Sequence, residues 1–125
     1  MTANNRQVGG AHYIKLNYQP WDFFIDAEIA PPIDFAIKYI ARWRDKEKPI
    51  QDLEKAIHCL EKAIQRECKI VKPSELDCYW QRFTAQLPHR EQLILRLIVA
   101  GEFFGAIDEI QEIIDNPHVF LRGEE

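Results

Sequence analysis

Long apolar runs are missing from this sequence. No stretch approaches the ~20 consecutive apolar residues that a membrane helix requires, so no membrane span is expected. The opening residues MTANNRQ carry no apolar segment of the secretory kind, and no export signal is read there. Cysteine is sparse: Cys59, Cys68 and Cys78 are odd in number and form no CxxC pair. That pattern argues against a disulfide framework or a zinc site and points to a reducing cytoplasm. An excess of basic charge is missing too. The formal net charge is −4, whereas non-specific nucleic-acid binding draws its affinity from neutralising phosphates with a basic face, so nucleic acid is not an expected partner. There is no GxxxxGKS/T and no GxGxxG, which excludes the standard nucleotide cradles. Strand-type alternation is confined to AHYIKLNY, residues 11–18.

What remains is helical periodicity. A chain of 125 residues with 46% hydrophobic and 29% charged residues suits one hydrophobic core with a polar surface. The expected fold is mostly α: a small helical bundle, with an extended N-terminal segment folded back on it. Residues 8–20 read as extended or turn-like around Gly9-Gly10 and Gln19-Pro20, and a short helix is expected from Trp21 to Glu28, ended by Pro31-Pro32. Pro32 then suits the first turn of a helix over 33–45, whose apolar stripe is Ile33, Ile37 and Ile40 flanked by Phe35, Ala36 and Tyr39. After Pro49 a helix runs over 50–69, with Ile50, Leu53, Ile57, Leu60 and Ile64 spaced as a bundle seam. Pro73 breaks the chain, and Ser74 offers an N-cap for a helix over 74–87 seamed by Leu76, Trp80, Phe83 and Leu87. A final long helix is expected over 90–115, carrying Leu93, Ile94, Leu97, Ile98, Phe104, Ile107, Ile110, Ile113 and Ile114, with Gly101 and Gly105 permitting close packing or a kink and Asn116-Pro117 as its stop. The break at Pro73 separates residues 8–72 from a C-terminal helical hairpin, 73–125, expected to pack on the same core.

Charge is unevenly spread. Between Lys38 and Lys48 stand Lys38, Arg42, Arg44, Lys46 and Lys48 against Asp45 and Glu47, whereas Glu102 to Glu125 is strongly acidic with Arg122 as its one basic residue. An anion is therefore expected to prefer the first stretch. Lys38 and Arg42 are i, i+4 and share a helix face, where two cations can grip a phosphate; the same pair is equally read as a solvated face paired with Asp34 and Asp45. Gly9-Gly10 followed by His12 and Tyr13 can bring backbone N–H groups and an imidazole to a phosphate, or make a turn that anchors the leader. Asp52 sits where a carboxylate favours a helix N-terminus, and His58 reads as a structural residue before an acid–base group. Glu102, Asp108, Glu109 and Glu112 can ligate Mg²⁺ but equally form an ordinary wet face; no metal site is expected. The pairing of 74–87 with 89–115 has the outline of a helix-turn-helix, but the acidity of its second member favours packing or self-association.

Taken in order, Val8-Gly9-Gly10-x-His12-Tyr13, Gln19-Pro20-Trp21, Ile37-Lys38-Tyr39-Ile40-x-Arg42 and Asp52-Leu53-x-Lys55-Ala56 resemble the blocks of the SaV-like domain, a small family of bacteriophages and prophages. The resemblance spans about residues 8–66. It departs at Phe35, where the family usually has asparagine, and at Cys59, where it usually has tyrosine. A related podophage protein is described as a deoxynucleoside monophosphate kinase without a P-loop that forms a large oligomer. The resemblance therefore implies a nucleotide ligand, a homo-oligomer and a site at His12, Tyr13, Gln19, Trp21, Lys38, Tyr39, Arg42 and Lys55. In that reading Lys38 and Arg42 hold phosphate, Tyr13 or Trp21 stacks a base and His12 hydrogen-bonds the ligand. Three functions stay open: a P-loop-less nucleotide kinase, a nucleotide-sequestering anti-defence protein without turnover, and a protein–protein interaction module built on the C-terminal hairpin.

Overall fold

The computed structural model describes residues 29–70 and 81–121. The GGAHY and QPW blocks, the candidate strand over 11–18, the helix expected from Trp21 to Glu28 and the start of the 74–87 helix lie outside the described residues. The described residues are mostly α-helical, as expected. Helix α1, Pro31–Arg42, begins with a proline at its first position, where the missing N–H loses nothing, and the carbonyl of Ala30 accepts from Ile33 and Asp34 at 3.0 Å. The α-helix stops at Arg42, short of the expected Asp45; Trp43–Asp45 tighten into a 3₁₀ turn. Helix α2, Pro49–Gln65, again starts on proline.

Helix α2 ends four residues before the periodicity suggested. Cys68 N–H donates to the Ala63 carbonyl at 2.9 Å and Glu67 N–H to Ile64 at 3.2 Å, a Schellman closure with Glu67 in the left-handed region at φ 53°. An isolated antiparallel bridge between Ile29 and Ile70 ties the entrance of α1 to the exit of α2. Residues 81–84 are helical and bury Phe83 and Thr84.

The expected helix over 90–115 is two helices. Helix α3, His89–Val99, closes on Gly101 at φ +80°, with Gly101 N–H on the Ile98 carbonyl at 3.0 Å and Glu102 N–H on Leu97 at 2.8 Å. Helix α4, Phe103–Asp115, then turns back against α3. The apolar pattern runs through Gly101 without a gap, so periodicity alone does not reveal the reversal; the glycine does. Pro117 starts a further short helix, α5, Pro117–Leu121, which buries Phe120.

Helix α1 packs along α2, and α3 along α4, while α2 meets α4 and α1 meets α3. One apolar core runs through all four. On α1 it takes Ile33, Ala36, Ile37 and Ile40, followed by the fully buried Trp43; Phe35, expected on a flank, is about half exposed. On α2 the buried stripe is Leu53, Ala56, Leu60 and Ala63: Leu53 and Leu60 of the expected seam are buried, and the stripe is rotated toward the alanines and away from Ile50, Ile57 and Ile64. Ile50, Ile57 and Ile64 are left on the partly covered flanks. On α4 Ile110 and Ile113 are buried, whereas Phe104, expected in the core, is 72% exposed. No helix among the described residues is long and apolar enough to cross a membrane.

Candidate functional site

Tyr39 is where α1 and α2 bring the sequence-expected site residues together. Its position one turn before the end of α1 places Arg42 three residues later on the same face. The Arg42 guanidinium lies over the Tyr39 ring, 4.9 Å from its centroid, and the Lys55 ammonium of α2 approaches the same ring at 5.7 Å. Tyr39, Arg42 and Lys55 thus form one cation–aromatic cluster at the α1–α2 seam. Lys38 is not part of it. It lies over the Phe35 ring at 5.2 Å, and its charge bears on Asp34 one turn earlier. His12, Tyr13, Gln19 and Trp21 lie outside the described residues.

Two grooves meet at the cluster. One, of about 430 Å³, is lined by Tyr39, Gln51, Glu54, Lys55, His58 and Cys59. The other, of about 420 Å³, is formed by Arg42, Lys55, the segment from Asp45 to Lys48, Gln51 and Asp52. Gln51 and Lys55 line both, so the two compartments adjoin. The first is the more apolar. The second is charged, with Arg42, Lys46, Lys48 and Lys55 set against Asp45, Glu47 and Asp52.

Burial shapes the electrostatics. Asp52, which a sequence reading places at the start of its helix as a dipole partner, is buried and ion-paired: its Oδ2 lies 3.4 Å from Arg42 Nε. Neither of those two atoms has a hydrogen-bond partner among the described residues, and Asp34 Oδ1 is in the same condition. Burial pushes the Asp34 carboxyl up to about 7, against the opposing pull of Lys38. Burial also raises the Cys59 thiol above its ordinary value.

The segment that walls the charged groove is fastened from behind. Trp43 Nε1 donates to Glu91 Oε2 at 3.3 Å, and Arg44 grips the same carboxylate through Nε at 2.6 Å and Nη2 at 3.1 Å. Arg44 Nη1 also donates to the Phe120 carbonyl. Glu91 is only 2% exposed. A buried carboxylate on α3 therefore holds the 3₁₀ turn that leads into Lys46–Lys48. Sequence reasoning missed it, because Glu91 in a first helical turn is indistinguishable from a solvent-facing cap.

Of the acidic residues weighed as cation ligands, Glu109 and Glu112 are engaged otherwise: Arg90 Nη1 pairs with Glu109 Oε2 and lies 3.6 Å from Glu112 Oε2. Among the described residues no group of three or more His, Cys, Asp or Glu is placed to hold a metal ion. No protein-family model, no curated protein and no solved structure matches this chain.

Proposed function

We propose that this chain is a nucleotide-binding protein of the phage SaV-like kind. The observation that carries the reading is the Tyr39–Arg42–Lys55 cluster at the junction of an apolar groove and a charged one that holds four basic residues. A nucleotide has the same two-part chemistry, an apolar planar base joined to an anionic phosphate. The base fits the Tyr39, His58 and Cys59 compartment, and the phosphate fits beside Arg42, Lys46 and Lys48. Lys55 and Gln51, shared by both compartments, stand where the sugar and first phosphate join. Lys38 takes a lesser part than the resemblance implies, because Phe35 and Asp34 already engage it.

Binding comes first in this reading. A kinase additionally needs a phosphate donor and turnover, since phosphoryl transfer depends mainly on positioning and charge stabilisation; the anti-defence alternative needs only tight retention. Ligand recovered intact after denaturing the complex supports sequestration, and a phosphorylated product supports the kinase. The reading includes a homo-oligomer in the host cytoplasm, and light scattering at micromolar protein checks the former.

The test is calorimetric titration with mono-, di-, tri- and cyclic nucleotides, repeated on Arg42→Ala/Lys55→Ala. Loss of two charge-assisted contacts is expected to weaken binding at least ~100-fold, from about 1.5–3 kcal/mol for each hydrogen bond to a charged group. A wild type that binds none of them refutes the proposal.

A further inference from the structure

We infer that Asp52 is a positioning residue that aims Arg42 at the phosphate, an inference resting on the nucleotide reading above. The Asp52 side chain is 5% exposed and Arg42 23%. A carboxylate so deeply placed costs desolvation unless a partner compensates it, and Arg42 Nε, at 3.4 Å, is that partner. Nε is the guanidinium nitrogen nearest the chain. A carboxylate that takes it leaves the two terminal nitrogens free to form a fork toward a ligand oxygen pair. Tyr39 holds the guanidinium plane from the other direction, its centroid 4.9 Å away. Arg42 is thereby held from two sides, by charge at Nε and by the ring under its plane, while it lines the charged groove.

The contact is loose: both Nε and Oδ2 are buried and lack hydrogen-bond geometry among the described residues. Hydrogen bonds that support a ligand are often long in the free protein and close in the complex. A phosphate drawing on the terminal nitrogens turns the guanidinium, and Nε–H then closes onto Oδ2. Asp52 therefore acts on the ligand through Arg42 rather than by touching it.

The sign of one substitution separates this role from simple charge. If Asp52 were only a negative charge beside the cationic groove, removing it would tighten anion binding. If it aims Arg42, removing it weakens binding, because a charge-assisted hydrogen bond to the ligand that no longer forms costs about tenfold or more. The experiment titrates wild type and Asp52→Asn with inorganic pyrophosphate and with adenosine, guanosine, cytidine and thymidine monophosphates. The Arg42 Nε–H exchange rate is followed by NMR alongside. We expect Asp52→Asn to bind at least about tenfold more weakly, and Nε–H exchange to slow on ligand addition in the wild type but not in the variant. Asp52→Ala, which removes the same carboxylate and leaves the Arg42 fork intact, is expected to show the same weakening and serves if the asparagine variant does not fold. Wild type that binds, with either variant equal to it or tighter, overturns the positioning role alone. Wild type that binds none of these probes overturns the nucleotide reading and this inference with it.

Discussion

Glu91→Gln tests the join between the two halves of the bundle. The carboxylate is 2% exposed and accepts from Trp43 Nε1, Arg44 Nε and Arg44 Nη2. Glutamine keeps the shape but replaces one acceptor oxygen with a donor, which then faces the N–H groups of Arg44. Removing one member of a buried ion pair costs ~3–5 kcal/mol, because the remaining charge stays desolvated. The Arg44 side chain is 21% exposed, so water relieves part of that, and the expected cost is about 3 kcal/mol, at the lower end. For a chain of this size the total stability is on the order of 6–15 kcal/mol, so the loss is a large share of it, and Tm should fall by roughly 10 °C. Urea denaturation should show a lower midpoint with an unchanged slope. The double variant Arg44→Met/Glu91→Leu should lose clearly less than the sum of its two single variants, since no buried charge is left unpaired, but it should not regain the whole loss, because Trp43 Nε1 and the Phe120 carbonyl lose their partners. A cost under about 1 kcal/mol for Glu91→Gln, or additive losses in the double variant, would refute the claim that this pair fastens the two halves together.

Three further outcomes follow from the same structure. The Asp34 carboxyl titrates near 7 when folded and near 3.8 as an ordinary aspartate. The folded state therefore holds a proton that the unfolded state has lost, stability falls as pH rises from about 4 to about 7, and Asp34→Asn should flatten that slope in denaturation series across this window. The two Schellman closures predict opposite signs: Gly101→Ala, at φ +80°, should cost about 1 kcal/mol, and Glu67→Gly, at φ 53°, should gain a smaller amount, both read from urea midpoints. The raised Cys59 thiol should react with iodoacetamide at pH 8 more slowly than a free thiol, which mass spectrometry of the timed reaction measures.

The helical class was legible because α1 and α2 start on prolines and carry apolar residues at helical spacing. The α3–α4 reversal was not, because Leu97, Ile98, Phe103 and Phe104 continue the pattern across Gly101, and only a backbone in the left-handed region separates a kink from a turn. On α2, Leu53 and Leu60 of the expected seam are buried, but the core continues over Ala56 and Ala63 rather than over the isoleucines, and alanine carries little periodic signal. Among the site residues, Tyr39, Arg42 and Lys55 were named in the sequence, and α1–α2 packing brings them together. Asp52 stands in the first turn of its helix as expected, but its burial and its Arg42 partner were not legible, and Glu91 was missed, because a carboxylate in a first helical turn looks the same whether it caps the helix in water or is buried against an arginine contributed by another element.

Amide chemical-shift mapping tests the central claim most directly. On titration with the nucleotide that gives the largest heat in calorimetry, the account predicts shifts concentrated at Tyr39, Arg42, Lys46, Gln51 and Lys55, along the two adjoining grooves. Shifts centred instead on the apolar groove around Cys68, Gly101 and Phe104, or no shifts at saturating ligand, would contradict it.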